Sequence, residues 1–238
     1  MKLDILAFGA HPDDVELSCS GTLLMEIHKG KKAGIIDLTA GEMGSRGTAE
    51  IRAHEAEDAR KILGAEMRRN LHLPDAQFEN NHANRLEVIR MIRAYRPTYV
   101  LCNAIGDRHP DHGRSAQLVE EACFLSGLIK IETEWEGNAQ IAYRPQLVLH
   151  YIQDRYIHPD IVIDISAVWE QRMESIRAHR SQFYDPDSGE PETYISSKGF
   201  FDGIERRARE MGRSCGYMYA EGFTCNRILG AHYLSDLC

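Results

Sequence analysis

Residues 9–14 read Gly-Ala-His-Pro-Asp-Asp, so an imidazole (His11) and two carboxylates (Asp13, Asp14) lie within four positions. They follow a short apolar run, residues 3–8, interrupted only by Asp4. A second group, His109-Pro110-Asp111-His112, follows the apolar run 99–102 and a loop. Ligand-type side chains packed this densely suit a metal centre better than a core. Open α/β sheets bind ligands at the C-terminal ends of their strands. The two groups are therefore expected to form the two lips of one site.

Hydrolysis at a Zn²⁺ centre needs three protein ligands and one open position for water. His11, Asp14 and His112 supply two imidazoles and a carboxylate. Asp13 is next to a ligand but aimed elsewhere. That suits a general base for a water whose pKa zinc lowers to about 7. His109, three residues before His112, could reach a carbonyl oxygen as charge develops on it. Asp111 either orients that imidazole or supports a ligand from behind. The same donors accept Fe²⁺ and other divalent ions. Taken singly, each group has a plainer explanation: a carboxylate capping the next helix, or a turn at 109–112. Both groups lying just past strands favours the site. His28, His54, His72, His82 and His179 are expected at the surface, and His158 to be structural.

These side chains need elements to hold them. Residues 3–8 read as a strand, Ser20-Gly21-Thr22 opens a helix to about 28, and 33–38 is a second buried strand. A polar, glycine-rich loop, 39–47, should hang over the same edge as His11. Thr48 is a suitable N-cap for a helix over 49–63, which sets Arg52 near its site-facing end. Further strands are expected at 70–73, 99–102, 146–152, 161–165 and 216–224. Further helices are expected at 85–95, 112–129, 168–182 and 200–212. Residues 132–142 look irregular and 185–191 look like an exposed, mobile loop. This alternation predicts an α/β, Rossmann-like fold, a mostly parallel sheet flanked by helices on both faces. A single domain over 1–238 is expected, with its core in about 1–165 and the C-terminal helices and loop 185–191 near the site.

Composition narrows the function. The 238 residues are 43% hydrophobic and 27% charged, with a net charge of −8, which argues against nucleic acid as a partner. The first turn lacks Gly-x-Gly-x-x-Gly and offers acidic groups where phosphates would sit, which disfavours a nucleotide-binding module. No stretch reaches about 18 apolar residues, and the N-terminus does not resemble a signal peptide, so no membrane association and a cytoplasmic location are expected. The six cysteines are scattered without a Cys-x-x-Cys pair, as in buried free thiols of a reducing compartment.

The pairing of Ala-His-Pro-Asp-Asp after the first strand with His-Pro-Asp-His before a later helix resembles the zinc-dependent LmbE/PIG-L deacetylase family, over nearly the whole chain. Residues 38–48, 107–112 (Asp-Arg-His-Pro-Asp-His) and 219–223 (Tyr-Ala-Glu-Gly-Phe) resemble its bacillithiol-pathway branch, which removes acetate from N-acetylglucosaminyl-malate. The resemblance implies zinc on His11, Asp14 and His112, Asp13 as base, His109 as electrostatic and acid partner, and Arg52 as a substrate contact. It also implies a small-molecule N-acetylglucosamine conjugate as substrate and a homo-oligomeric assembly. A deacetylase of the same mechanism acting on a free sugar, oligosaccharide or glycolipid is the alternative. A non-catalytic sugar- or metal-binding protein is disfavoured, because mere binding needs no spare base at Asp13. Arg46 and Arg52 lie on and just after the loop over the site. A guanidinium fork suits a malyl carboxylate or sugar hydroxyls, while an ordinary solvated charge is the plainer role for Arg46. Cys19-Ser20-Gly21 departs from the Gly-Gly pair usual in the family and adds a side chain where the first helix starts.

Overall fold

Side chains alternate across a strand, and here both faces are apolar. Ile5, Ala7 and Ile35 enter one buried cluster, while Leu6, Phe8, Ile36 and Leu38 enter the other. Strands of this kind belong inside a sheet covered on both sides. The computed structural model describes residues 1–233. In chain order its elements are β1 (Ile5–Gly9), α1 (Asp14–Ser18), α2 (Ser20–His28), β2 (Ala33–Asp37), α3 (Ala49–Leu63), β3 (Met67–Asn70) and α4 (His82–Tyr95). Then come β4 (Tyr99–Cys102), α5 (Pro110–Leu125), β5 (Glu134–Trp135), β6 (Asn138–Ala139), β7 (Leu147–Tyr151), β8 (Ile161–Asp164), α6 (Trp169–Arg177), α7 (Lys198–Arg213) and β9 (Ala220–Thr224).

The main sheet has seven strands in the order β3-β2-β1-β4-β7-β9-β8. All pairings are parallel except those of β9, which runs antiparallel to both neighbours. Residues of α1, α2, α3, α6 and α7 pack into the cluster on one face, and α4 and α5 into that on the other. This is the expected Rossmann-like α/β arrangement. The strand order reverses between β1 and β4, where the crevice of such a sheet opens. Both ligand-bearing groups of the sequence leave the C-terminal ends of these two strands.

Several elements differ from the sequence reading for local reasons. A short helix, α1, starts within the motif itself and breaks at Cys19 (φ −146°, ψ 11°) before α2 begins. The third strand is Met67–Asn70, three residues earlier than expected. Its Arg68 looks wrong for a strand, but the guanidinium is buried between Asp37 (2.7 Å) and Glu16 (2.6 Å). Residues 134–139 form a small antiparallel hairpin rather than an irregular excursion. Helix α6 stops at Arg177, and His179 beyond it is fully buried, 3.4 Å from Glu16, not at the surface. The last strand is shorter than expected, Ala220–Thr224.

That last strand also holds the first helices in place. The buried Glu221 carboxylate accepts the backbone N–H groups of Gly21 (2.9 Å) and Thr22 (2.7 Å) at the start of α2, and Arg172 donates to it at 2.8 Å. An anion there meets the positive end of the helix. Ser20 is accommodated because its hydroxyl donates to the Glu16 carbonyl (2.7 Å). The described cysteines, Cys19, Cys102, Cys123, Cys215 and Cys225, are free, while Cys238 lies outside the described residues. No helix among the described residues is long and apolar enough to cross a membrane.

Gly21 is the tighter position of the two. A Cβ there would stand 2.7 Å from Ile165 Cγ2. Gly21→Ala is therefore expected to destabilise the protein by about 1–3 kcal/mol through overpacking, measured by urea denaturation. An unchanged midpoint would mean that α2 and the residue after β8 can move apart freely.

Candidate active site

At the end of β1 the chain turns straight into α1, with Asp13 as its N-cap residue. The Asp13 side chain makes no capping hydrogen bond, so capping does not explain its presence. Its φ is 142°, a region that side-chain-bearing residues rarely adopt. Such strain costs about 1–3 kcal/mol and persists where surrounding contacts enforce it. Arg52 of α3 enforces it here. Its Nη2 donates to the Pro12 carbonyl (3.1 Å) and to Asp13 Oδ2 (3.3 Å), and its Nη1 donates to the Gly41 carbonyl (2.9 Å). Gly41, with φ 67°, allows that approach, since a Cβ there would lie 2.0 Å from Arg52 Nη1. Burial pushes the Asp13 carboxyl up from its ordinary range, with Arg52 opposing and Asp14 adding to the rise.

Asp14 lies between the two motifs. Its Oδ2 is 3.6 Å from His11 Nδ1 and its Oδ1 is 3.1 Å from His112 Nε2. Asn103 and Gln153 donate side-chain N–H groups to it at 3.0 and 2.9 Å, and the His11 backbone N–H donates at 3.0 Å. Burial works against its charge, yet His112 and His11 hold the carboxyl well below the usual range.

Each imidazole is oriented from behind by another carboxylate. His112 Nδ1 is 2.6 Å from Asp107 Oδ2, and His11 Nε2 is 3.0 Å from Asp75 Oδ1. With the outer nitrogens so engaged, the inner ones, His11 Nδ1 and His112 Nε2, face Asp14, and on the neutral rings they are the atoms left to bind a cation. Burial lowers both pKa values, but the carboxylates prevail. His112 is carried up to about 9 by Asp14 and Asp107, and His11 well above its ordinary value by Asp111, Asp14 and Asp75.

His109 completes the cluster as the N-cap residue of α5. Its Nδ1 accepts the Asp111 backbone N–H (3.3 Å), which leaves the ring proton on Nε2. Burial pulls its pKa down, and His11 and His112 add to that, so the ring is neutral near pH 7. Its centroid lies 4.7 Å from that of His11 and 5.3 Å from that of His112.

The donors suit a divalent metal. One nitrogen each of His11, His109 and His112 falls within 4.8 Å of the others, and so do ligand atoms of His11, Asp75 and Asp111. The second group is already engaged: Asp111 accepts from Ala76 N–H (2.9 Å) and Arg114 (2.6 Å), and Asp75 accepts from Met43 N–H (3.0 Å). The three imidazoles of the first group, with Asp14 beside them, all line one cavity, whereas Asp111 does not.

Three expectations change. The Asp111 side chain does not hold the His109 ring. It faces Arg114 and, at 3.5 Å, His11, which is the other role read for it, support of an imidazole from behind. Arg46 is not a free carboxylate clamp. It is buried, donating to Ser181 and Pro191 carbonyls and to the Ser188 hydroxyl, and these contacts tie down loop 185–191. Arg52 borders the cavity, but both its Nη groups serve Asp13 and the backbone rather than an open substrate position. Residues not singled out in the sequence, Asp75, Asn103, Asp107 and Gln153, also shape the site. Their signal was placement: each lies within a few residues of a strand end on the crevice side.

The cluster forms the floor of a cavity of about 370 Å³, with Met43, Arg108, Tyr194, Phe200 and Arg207 among its walls. At the mouth, Arg108 stacks over the Tyr194 ring at 4.5 Å, and Asp154 accepts from the Tyr194 hydroxyl (3.1 Å) and Arg207 (3.2 Å).

A family model described as PIG-L, GlcNAc-PI de-N-acetylase, matches residues 6–123. A diacetylchitobiose deacetylase of Thermococcus kodakarensis is 27% identical over 230 residues, spanning 92% of this chain and 81% of that protein. A probable N-acetyl-alpha-D-glucosaminyl L-malate deacetylase 2 of Bacillus cereus is 27% identical over 197 residues, spanning 76% of this chain and 84% of that one. The conserved protein TT1542 of Thermus thermophilus superposes with a TM-score of 0.85 at 34% identity, over 97% of this chain and 98% of that chain. The family match runs through both motif-bearing strand ends, and the chain belongs to the PIG-L/LmbE family of deacetylases.

Proposed function

We propose that this deacetylase is a metal-dependent amide hydrolase that removes the acetyl group from an N-acetylglucosamine conjugate, with N-acetylglucosaminyl-L-malate as the substrate. The observation that carries the reading is the convergence of His11, Asp14, His112 and His109 on a cavity floor beside the strained, Arg52-held Asp13. His11, Asp14 and His112 would hold the cation, Zn²⁺ or another divalent ion such as Fe²⁺. When bound, it supplies Lewis acidity, which polarises the acetyl carbonyl and eases loss of a proton from the attacking water.

The chain's own groups do the rest. Asp13 accepts the proton of the attacking water, and its raised pKa makes it a better base and later a proton donor to the departing sugar amine. Arg52 keeps the carboxylate from swinging into the ligand set. His109, neutral and protonated on Nε2, donates a hydrogen bond to the carbonyl oxygen as negative charge gathers there. Asp75 and Asp107 fix which nitrogen each ligand imidazole offers. An anionic substituent on the sugar is favoured by the cavity mouth, where Arg108 and Arg207 share the single carboxylate of Asp154. The Bacillus cereus relative is named for that malate conjugate. The same mechanism on a second sugar, as the name of the Thermococcus relative describes, is the competing reading.

Amine release from N-acetylglucosaminyl-malate, N-acetylglucosamine and diacetylchitobiose should be measured on samples of known metal content. A clear kcat/KM preference for the malate conjugate is expected. Preference for the disaccharide would move the reading to oligosaccharides, and inactivity on all of them would refute the sugar amide assignment.

Asp13→Asn keeps the shape and removes the base. It should retain its metal and lose about 100- to 10,000-fold in kcat, the usual worth of a positioned acid–base group. Near-normal turnover would exclude Asp13 as the base.

The metal should also displace protons. Without it, His11 and His112 titrate above pH 7, His112 at about 9, so both are protonated at neutral pH. Ligation needs both neutral. Calorimetry in buffers of different ionisation enthalpy should therefore find about two protons released per ion at pH 7. The number should fall, and the apparent affinity rise, as pH passes through about 9. Binding without proton release at pH 7 would mean that both rings are already neutral before the ion arrives.

A further inference from the structure

Arg46 is a buried cation with no part in the chemistry above. It sits on the loop between β2 and α3, and its guanidinium reaches across to the chain between α6 and α7. Nε donates to the Ser181 carbonyl (2.7 Å), Nη1 to the Pro191 carbonyl (3.2 Å) and Nη2 to the Ser188 hydroxyl (3.0 Å). Glu190 reinforces the junction, with Oε2 3.6 Å from Arg46 Nε and Oε1 accepting the Gly47 N–H at 3.0 Å. Gln182 donates back to the Arg46 carbonyl (2.9 Å), and Glu55 of α3 accepts from both the backbone N–H and the hydroxyl of Ser181 (2.7 Å each). One planar fork thus meets both ends of residues 181–191, which a point-charge ammonium cannot do.

The tethered stretch leads directly into the wall of the cavity. Residues 178–197 contain no helix or strand, so side-chain contacts must hold their path. Just past Pro191, Thr193, Tyr194 and Ile195 line that wall, and Phe200 meets Tyr194 edge-on at 5.3 Å. This wall faces the mouth, where the substituent on the reacting sugar would lie. The two His-Pro-Asp groups of the floor leave the ends of β1 and β4 instead.

We infer that Arg46 is a positioning residue that sets the substrate-binding wall of the cavity by clamping residues 181–191, rather than a group that touches substrate. The assignment rests on the cavity being the sugar site. It separates two functions in space: chemistry at the strand ends, and recognition on a stretch held by one guanidinium.

Arg46→Ala should be examined by hydrogen–deuterium exchange and by steady-state kinetics, with bound metal quantified. Exchange should accelerate in residues 183–195 and not in β1 or β4. KM should rise about tenfold, the scale on which misplaced binding groups act, equally for N-acetylglucosaminyl-malate and N-acetylglucosamine. Metal content should stay unchanged, and kcat should change by less than about threefold. Arg46→Lys should not rescue. If Arg46→Ala does not fold, the pair Ser188→Ala and Glu190→Ala, which removes only outer contacts, should still accelerate exchange in 185–195. Unchanged exchange in that stretch would overturn the proposal, and so would a KM loss confined to the malate conjugate, which would make Arg46 a direct carboxylate contact. The exchange readout needs no substrate, so it still decides the role of Arg46 if the sugar assignment fails.

Discussion

Water is removed from three carboxylates within four residues, Asp13, Asp14 and Glu16, and the rest of the molecule answers to that constraint. All are buried, at 5%, 3% and 0% exposure. A buried anion without a partner costs several kcal/mol, so each recruits cationic or imidazole groups from distant sequence. Asp13 takes Arg52 from α3, Asp14 takes His11 and His112, and Glu16 takes Arg68 from β3 with His179 beyond α6. These partners come from both sides of β1, so satisfying one short helix joins α3, β3, α5 and the end of α6 around it. Glu16 is held down to about 2 by this company, burial notwithstanding, with Arg68 the largest opposing influence.

The same constraint divides labour between two adjacent carboxylates. Asp14 is surrounded by donors and imidazoles, which favour its charge. Asp13 has one guanidinium on one oxygen and otherwise pays for burial in its acidity. Neighbouring groups whose environments push their pKa values apart are the usual mark of separate ligand and base roles. The backbone contributes by holding Asp13 at φ 142°. Strain of this kind is kept where surrounding contacts over-determine it, and Arg52, with one group on Pro12 and Asp13 and another on Gly41, provides that determination.

Much of this was legible in the residues themselves. The alternating apolar strands, the Thr48 cap, and the placement of both His-Pro-Asp groups past strand ends were enough to give the fold class and bring His11, Asp14, His112, Asp13 and His109 together. What escaped depended on partners far away in sequence. Arg68 and Glu221 look unfit for strands until Glu16, Asp37 and the α2 N-terminus are seen to need them. His179 looked exposed because a continued helix would have turned it outward, whereas α6 ends two residues earlier. Asp75 carries no motif of its own and Asp107 only opens the segment 107–112, and their roles exist only once the rings of His11 and His112 are placed. Arg46 shows the limit most plainly. A basic residue in a loop over a site resembles a ligand contact, and only the path of residues 181–191 reveals that each of its three nitrogens already donates to that stretch.

The position of β9 has a consequence for the order in which the protein can form during synthesis. Among the described strands it is the last made, yet it lies between β7 and β8 and supplies the carboxylate that caps α2, 200 residues earlier in the chain. Until about residue 224 has left the ribosome, β8 has no neighbour in the sheet and the start of α2 lacks its anion. Contacts of such long sequence separation form slowly. The first motif is therefore made some 200 residues before the carboxylate that caps the helix next to it.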